Sequence, residues 1–547
     1  MLTLNLFGRF DALLDCHSWC GPCTPAADCI GYGGLIGRVL VLDVGTSGLR
    51  AAIVSEEARI IDVCYAALPP TLPSPGLVEI DPVRLASTAL GLAREVLGRS
   101  GPVACVGITN QRASTILWDR RSGEPVAPGI GWQDLRTAGR CFELQVSGVH
   151  VSPNASATKL EHLLDTARNR SGIDAVSTRD LCFGTIDSWL AWALAGGPVP
   201  GLQANEASST EPLHVTDWTN AGVTGLVSLA SSGWDPTMLQ LLGIPPEVLP
   251  GIVDSSGVVG AASALGLDIP IASIVGDQQA SLVGQGCTTP GMAKITFGTG
   301  GMLDQCGGSN LPEWALSGER GPQGTIPVIA WARDGKLVWG TEAIMISAGE
   351  AVDWLCRGLG LLDSPAASED VASACDDSGD VWFVPALIGL GTPVWDFGAR
   401  GGFFGITRGA RRPHLVRAVL EGIAHRGADL IDAAEADSGL PIGAIRVDGG
   451  MTANRVFLQA LADAAGRVVE VSRVTEATTL GAAFLAGIAC GIWQDEAETA
   501  SLWSPSLVVD PRWEHDASGD RDQVRARWHE ARDRALATIP ELSVLHF

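Results

Sequence analysis

Asp277 stands just after a mostly apolar run, Ile271 to Val275, and two amides, Gln278 and Gln279, follow it. An acid at the end of a buried strand is well placed to take a proton. A second apolar run, Ala293 to Phe297, leads into Gly298-Thr299-Gly300. A Gly-Thr-Gly turn frees backbone N–H groups and lets a phosphate come close. Near the start, Val39 to Asp43 reads as a buried strand running into Val44-Gly45-Thr46-Ser47-Gly48, a turn of the same kind. Asp43 could hold Mg²⁺, directly or through water. Thr46 and Ser47 could donate backbone and hydroxyl hydrogen bonds to phosphates. A base, a phosphate cradle and a metal carboxylate are the parts that moving a γ-phosphoryl group to an alcohol requires. Taken singly, an Asp before a Gly-Thr turn is more often a turn residue bonding its own backbone. The order in which these signals occur together carries the weight.

The elements that must hold these residues follow from periodicity. Leu49 to Val54 and Arg59 to Tyr65 read as strands. Asp81 to Gly98 is an amphipathic helix with Asp81-Pro82 at its start, and Val103 to Thr109 is a further strand. The second half repeats the theme. Ala293 to Phe297, its turn and Met302-Leu303 echo the strand–turn–strand at 39–54. Ala444 to Val447 leads into Asp448-Gly449-Gly450-Met451-Thr452-Ala453-Asn454, a strand ending in glycines before a helix, which puts helix N–H groups beside a ligand. The pattern predicts two similar α/β domains facing each other across a cleft, with a boundary near Gly284–Pro290. Segments 196–213 and 362–379 read as surface loops, and Arg521 to Ala537 as a charged, peripheral helix.

Composition narrows the partners. The chain has 547 residues, more than one ordinary core needs, and 46% of them are hydrophobic. A formal net charge of −24 argues against nucleic acid or an anionic membrane as main partner. No stretch reads as a membrane span, and Arg9 and Asp11 interrupt the apolar start, so no signal peptide is expected. The 13 cysteines, an odd number scattered largely in apolar segments, suit a reducing cytoplasm. Residues 1–37 stand apart. They hold Trp19-Cys20-Gly21-Pro22-Cys23, a thioredoxin-type dithiol sequence, and four cysteines, Cys16, Cys20, Cys23 and Cys29, that could be read as a zinc set. Neither reading has the surrounding strand and helix it needs. The segment is expected to be a disordered extension.

From residue 38 to about 500 the chain resembles the FGGY carbohydrate kinases, and within them the glycerol kinases. The resemblance rests on Asp43-Val44-Gly45-Thr46-Ser47, Gly107-Ile108-Thr109-Asn110-Gln111-Arg112, Trp132-Gln133-Asp134 and Thr158-Lys159. It continues through Gly184-Thr185-Ile186-Asp187-Ser188, His214-Val215-Thr216-Asp217 and Gly276-Asp277-Gln278-Gln279. Gly298-Thr299-Gly300, Asp448-Gly449-Gly450 and Leu480-Gly481-Ala482-Ala483 complete it. It implies an α/β fold of two actin/hexokinase-like (ribonuclease H-like) domains flanking a catalytic cleft. Residues 38–286 would bind the polyol and carry the first phosphate loop, and 287–535 would bind the nucleotide. It implies ATP and Mg²⁺ as cofactors, with Asp43 as metal ligand and Asp277 as catalytic base. Arg112, Trp132, Asp277 and Gln278 would hold the substrate. Thr46, Ser47 and Arg50 match the first phosphate loop, Thr299 the second, and Gly349, Gly450 and Asn454 the nucleotide site. The expected partners are a small polyol or sugar and ATP, with no nucleic acid, no membrane, and homo-oligomerisation left open.

Three residues depart from the glycerol pattern. Ala113 replaces an acid after the arginine, and Asn154 and Met302 stand where aromatics are usual. Losing a carboxylate that accepts from a hydroxyl costs about 1–3 kcal/mol of recognition. The resemblance makes phosphorylation of a terminal hydroxyl of glycerol to glycerol 3-phosphate the leading expectation, while the three departures point to a different or larger substrate. The alternatives are another polyol or sugar (erythritol, a ketose or a sugar acid), or a non-catalytic sugar- or nucleotide-binding regulator of the same fold.

Overall fold

The computed structural model describes residues 37–170, 178–202, 212–229, 233–266, 268–317, 319–512 and 520–545. The dithiol, zinc and disorder readings of the N-terminal segment lie outside the described residues. Residues from Gly37 onward form one compact unit.

The apolar segments of the first half become strands. β1 (Arg38–Val44), β2 (Gly48–Ser55) and β3 (Ile60–Ala67) form an antiparallel meander. The chain then crosses over through helix α1 (Pro82–Ser100), and β4 (Cys105–Asn110) returns parallel to β1. The Asp81 side chain accepts from the Arg84 N–H and caps α1, with proline in its first turn. Leu85, Ala86, Ala89, Leu90, Ala93 and Val96 recur at helical spacing and are buried against the sheet. β5 (Ser256–Ala261) and β6 (Pro270–Gly276) complete this half, with β6 parallel to β4.

The second half repeats the arrangement. β7 (Ala293–Phe297) and β8 (Gly301–Gly308) form a hairpin; β9 (Ile326–Arg333) and β10 (Lys336–Met345) extend it. β11 (Ile445–Asp448) lies parallel to β7, as β4 does to β1, and β12 (Val469–Ser472) and β13 (Pro505–Val509) follow. All 13 strands join in one sheet, ordered β13-β12-β11-β7-β8-β10-β9-β5-β6-β4-β1-β2-β3. A single pairing, Ser256 with Arg333, links the halves between β5 and β9.

Helices α2 (Asp277–Gly284), α3 (Gly349–Arg357), α4 (Arg412–Ser438), α5 (Arg455–Ala465), α6 (Ala477–Ala489) and α7 (Asp520–Asp533) dress the sheet near the site. Although late in the chain, α6 packs on the first half. Ala482, Ala483 and Leu485 share a core with Val39, Val41, Ala280 and Val283. Ser273 Oγ donates to the Ala482 carbonyl at 2.8 Å and Ser256 Oγ to that of Leu485 at 2.7 Å. α2 and α6 cross at Gly284 and Gly481. A Cβ on Gly284 would strike the Ala477 carbonyl, and one on Gly481 the carbonyl of Ala280. The two helix backbones therefore touch.

Two local expectations are corrected. The charged helix α7 is not peripheral. Trp528 is fully buried and donates to Asp429 at 3.1 Å, and Arg525 pairs with Asp432 at 2.9 Å. Arg521, Arg525 and Arg532 face Asp429 and Asp432 on α4, so charge count alone misreads its burial. Segment 362–379 contains a short helix, Ser368–Ala372, that docks on the start of α5. Asn454 Nδ2 donates to Ser368 Oγ at 3.0 Å, and Glu369 accepts from the Arg455 N–H at 2.8 Å.

Candidate active site

β6 ends at Gly276 and α2 begins at Asp277, so the acid lies at the head of a helix. A Cβ on Gly276 would sit 2.8 Å from Arg112 Cδ; only glycine lets the arginine lie so close. Arg112 follows β4, where the Gln111 N–H bonds the Val44 carbonyl at 2.7 Å. Its Nε is 3.6 Å from Asp277 Oδ1, which also accepts from the Gln278 N–H at 2.9 Å. Burial pushes the Asp277 carboxyl above its ordinary range, while Arg112, the Gln278 N–H and Lys294 pull it back and Asp304 adds to the rise. The far side of the guanidinium reaches the second half: Arg112 Nη2 lies 2.7 Å from Glu342 Oε2. Gln278 is also held from there, its Oε1 accepting from Lys294 Nζ at 2.7 Å.

Trp132 is fixed at several points. Its N–H donates to Ser114 Oγ at 3.1 Å, and Nε1 reaches Thr46 Oγ1 at 3.4 Å. This second bond ties the indole to the turn at 45–48. The Trp132 carbonyl accepts from Lys159 Nζ at 2.9 Å and from Asn154 Nδ2 at 3.0 Å. Lys159 is fully buried and also donates to the carbonyls of Gly131 (3.0 Å) and Asn154 (3.1 Å). Three carbonyls match the three donors of an ammonium group. Ala113 is buried with φ of 61°, a left-handed backbone that turns the chain after Arg112, and its carbonyl accepts from Ser156 Oγ at 3.1 Å. Asn154 is exposed and Met302 half-buried.

In the first candidate phosphate turn the Gly45 N–H bonds the Gly48 carbonyl at 3.0 Å and Ser47 is exposed. Asp43, Gly45, Ser47, Gly48, Arg50 and Tyr65 line a cavity of about 170 Å³ there. Asp43 Oδ2 accepts from Arg50 at 3.1 Å and from Thr479 Oγ1 of α6 at 2.9 Å. Arg50 also pairs with Glu476 at 2.6 Å. Burial raises the Asp43 carboxyl to about 6; Arg50 and Thr479 oppose the rise, and the charges of Asp277 and Glu476 add to it. In the second turn the carbonyl of exposed Thr299 accepts from the N–H groups of Ala348 (2.8 Å) and Glu350 (3.2 Å). The Gly298 carbonyl accepts from the Gly349 N–H at 2.9 Å, and a Cβ on Gly349 would lie 2.6 Å from that carbonyl. Gly450 faces open space. Asn454 spends its side chain on structure: Oδ1 caps α5 through the Phe457 N–H at 2.9 Å, and Nδ2 holds Ser368.

The structure thus gathers Arg112, Asp277 and Gln278 in one cluster, Trp132 with Thr46 in a second, and Asp43 with Arg50 in a third; Thr299 lies beside Gly349. It adds residues that sequence reasoning did not select as site residues: Lys159, Lys294, Asp304, Glu342, Glu476 and Thr479. Charged residues inside otherwise apolar strands were a usable signal for Lys294, Asp304 and Glu342.

Profiles of the FGGY family of carbohydrate kinases match the chain twice, the N-terminal domain over residues 38–284 and the C-terminal domain over 294–490. Glycerol kinase 2 of Thermotoga maritima is 39% identical over 515 residues, 91% of this chain and 98% of that protein. This chain belongs to the FGGY family of carbohydrate kinases. Glycerol kinase of Dechloromonas aromatica is 41% identical over 91% of this chain and 97% of its own length. Among solved structures, Plasmodium falciparum glycerol kinase with ADP superposes with a TM-score of 0.81 at 28% identity, over 92% of this chain and 98% of that one. Xylulose kinase of Lactobacillus acidophilus, at 21% identity and a TM-score of 0.77 over 92% of this chain and 100% of its own, shares the fold. The expected pair of actin/hexokinase-like α/β domains is the fold found. In this FGGY carbohydrate kinase the candidate site draws on both matched segments. Asp43, Arg112 and Asp277 come from the first, and Lys294, Thr299, Glu342 and Thr479 from the second.

Proposed function

We propose that the protein transfers the γ-phosphoryl group of ATP to a terminal hydroxyl of glycerol, giving glycerol 3-phosphate and ADP. The observation that carries this reading is Asp277 at the head of α2, 3.6 Å from Arg112 and followed by the amide of Gln278. The names borne by the relatives support the choice of substrate and nucleotide. Trp132 supplies a flat wall for the carbon edge, and Arg112 and Gln278 supply polar groups for hydroxyls. Asp277 takes the hydroxyl proton while that oxygen bonds to the γ-phosphorus and the bond from phosphorus to the leaving ADP oxygen breaks. Thr46, Ser47 and Arg50 on one side and Thr299 on the other would hold the phosphates, with Gly349, Gly450 and Asn454 shaping the nucleotide site.

Asp43 fits a magnesium ligand. Its Oδ2 carries the bonds to Arg50 and Thr479, its Oδ1 carries none among the described residues, and the carboxylate lines the cavity beside the first turn. One carboxylate with phosphate oxygens and waters is a usual magnesium setting. When bound there, Mg²⁺ supplies charge neutralisation of the phosphates. Residues 38–286 and 287–535 would act as polyol-side and nucleotide-side domains. No described helix is long and apolar enough to cross a membrane, and the described cysteines are all free thiols, which supports a cytoplasmic setting.

A second reading keeps the reaction and changes the substrate to erythritol, a ketose or a sugar acid. Ala113 favours it, because the acid facing Arg112 comes from the second half as Glu342 and not from the residue after the arginine. The test is ADP release with glycerol, erythritol, ketoses and sugar acids, for wild type and Asp277→Asn. Glycerol with the highest kcat/KM and an inactive variant support the proposal. A variant at wild-type rate removes Asp277 as base. A larger substrate preferred by a wide margin selects the second reading, and no substrate-dependent ADP release leaves the binding regulator.

A further inference from the structure

Three charged residues of the second half stand in register across neighbouring strands. Lys294 on β7 faces Asp304 on β8, and Asp304 faces Glu342 on β10. All three are buried, at 0%, 2% and 4% exposure. Lys294 Nζ lies 2.7 Å from Asp304 Oδ2. Both ends of the row reach into the first half. Lys294 bonds Gln278 Oε1 at 2.7 Å, and Glu342 bonds Arg112 at 2.7 Å. Gln278 and Arg112 are the two groups that flank Asp277.

Stability does not account for this row. Like charges directly opposite each other across two strands destabilise a sheet, and Asp304 and Glu342 are such a pair. Buried ion pairs rarely outdo apolar residues of the same volume. Among the described residues Asp304 Oδ1 and Arg112 Nη1 are buried without a hydrogen-bond partner, a further cost. What the row secures is geometry. Glu342 draws the far end of the guanidinium away from Asp277. Freed from Glu342, Arg112 would close on the next carboxylate, Asp277, and occupy the oxygen that must receive the proton. Lys294 likewise fixes the carbonyl end of the Gln278 amide, so its NH₂ faces one way.

We propose that Lys294, Asp304 and Glu342 are positioning residues that hold Gln278 and Arg112 from the second half, so that Asp277 keeps a carboxylate oxygen open for the substrate hydroxyl. The row rests on the reading of Asp277 as the base. It also means that the polyol side is complete only when the two matched segments are together, which couples the nucleotide-side strands to hydroxyl recognition.

The test uses Glu342→Gln and Asp304→Asn in the full chain, with steady-state kinetics for glycerol and ATP and a thermal melt. Glu342→Gln is expected to raise the glycerol KM and lower kcat, together by about tenfold or more in kcat/KM. The ATP KM should stay within about twofold, while the melting midpoint falls, because removing one partner of a buried pair leaves the Arg112 charge less compensated. The decisive measurement is a cycle with Arg112→Met. In that background Glu342→Gln should change kcat/KM by less than about twofold, because the group it acts through is gone. A full loss repeated in the Arg112→Met background would overturn the proposal, as would a lower melting midpoint with unchanged kinetics. If Glu342→Gln does not fold, the isosteric Asp304→Asn decides in a cycle with Gln278→Ala, the group that Asp304 reaches through Lys294. Asp277→Asn is measured alongside. If it retains turnover, the base assignment fails; if it is inactive while Glu342→Gln and Asp304→Asn match wild type, the row alone fails.

Discussion

Replacing Asp43 by Asn should make the protein more stable at neutral pH and inactive. Asp43 is 8% exposed, and burial raises its carboxyl from 3.8 to about 6 despite Arg50 and Thr479. A carboxyl whose folded pKa is raised binds its proton more tightly folded than unfolded. Its ionisation therefore costs stability as pH climbs from the unfolded value of 3.8 through about 6. A rise of roughly 2 units at about 1.4 kcal/mol each comes to about 3 kcal/mol, fully present above pH ~7, about half present near pH 5 and gone below pH ~4. Asparagine keeps an oxygen for Thr479 and Arg50 and carries no charge, and Arg50 retains Glu476. The assay is the unfolding midpoint of wild type and Asp43→Asn from pH 5 to 8 in metal-free buffer, with ADP release at pH 7.5. The midpoints should diverge as pH rises, the variant being the more stable, while its turnover is lost. A variant no more stable than wild type at pH 8, or a gain independent of pH, would refute the reasoning that burial dominates at Asp43.

Lys159→Met strips donors from the carbonyls of Gly131, Trp132 and Asn154. It should cost about 2–4 kcal/mol of stability and raise the polyol KM more than the ATP KM, as read by melting and steady-state kinetics. Gly349→Ala forces a Cβ to 2.6 Å from the Gly298 carbonyl. The second phosphate turn should shift and the ATP KM rise by about tenfold or more, with the polyol KM little changed. Gly481→Ala drives a methyl into the Ala280 carbonyl at the crossing of α2 and α6. It should destabilise by at least about 1–3 kcal/mol and weaken turnover, since α2 begins with Asp277 and α6 carries Thr479.

The strand–turn–strand repeat, the helix capped by Asp81 and the position of Asp277 at a strand end were all legible along the chain. These features are local: apolar periodicity, a capping acid before proline, and glycines where backbone must stay open. The same holds for Asp43, Thr46 and Thr299, because each turn follows its strand directly. What the linear order hides is which charges meet. Arg112 and Glu342 lie 230 residues apart in the chain and are joined at 2.7 Å. Thr479 reaches Asp43 only because α6 leaves its own half and packs on the other. Asn454 caps α5 and holds Ser368, contacts that the linear order does not announce. Trp528 is buried in a helix whose charge suggested solvent, because Asp429 and Asp432 of α4 meet its Arg525 and Arg532. The sequence by itself determined the family, the strands and the chemistry that their ends offer, since those depend on neighbours along the chain. Only the tertiary structure decided the partner of each buried charge, since a charge taken out of water must find its counterpart in space, wherever in the chain that lies.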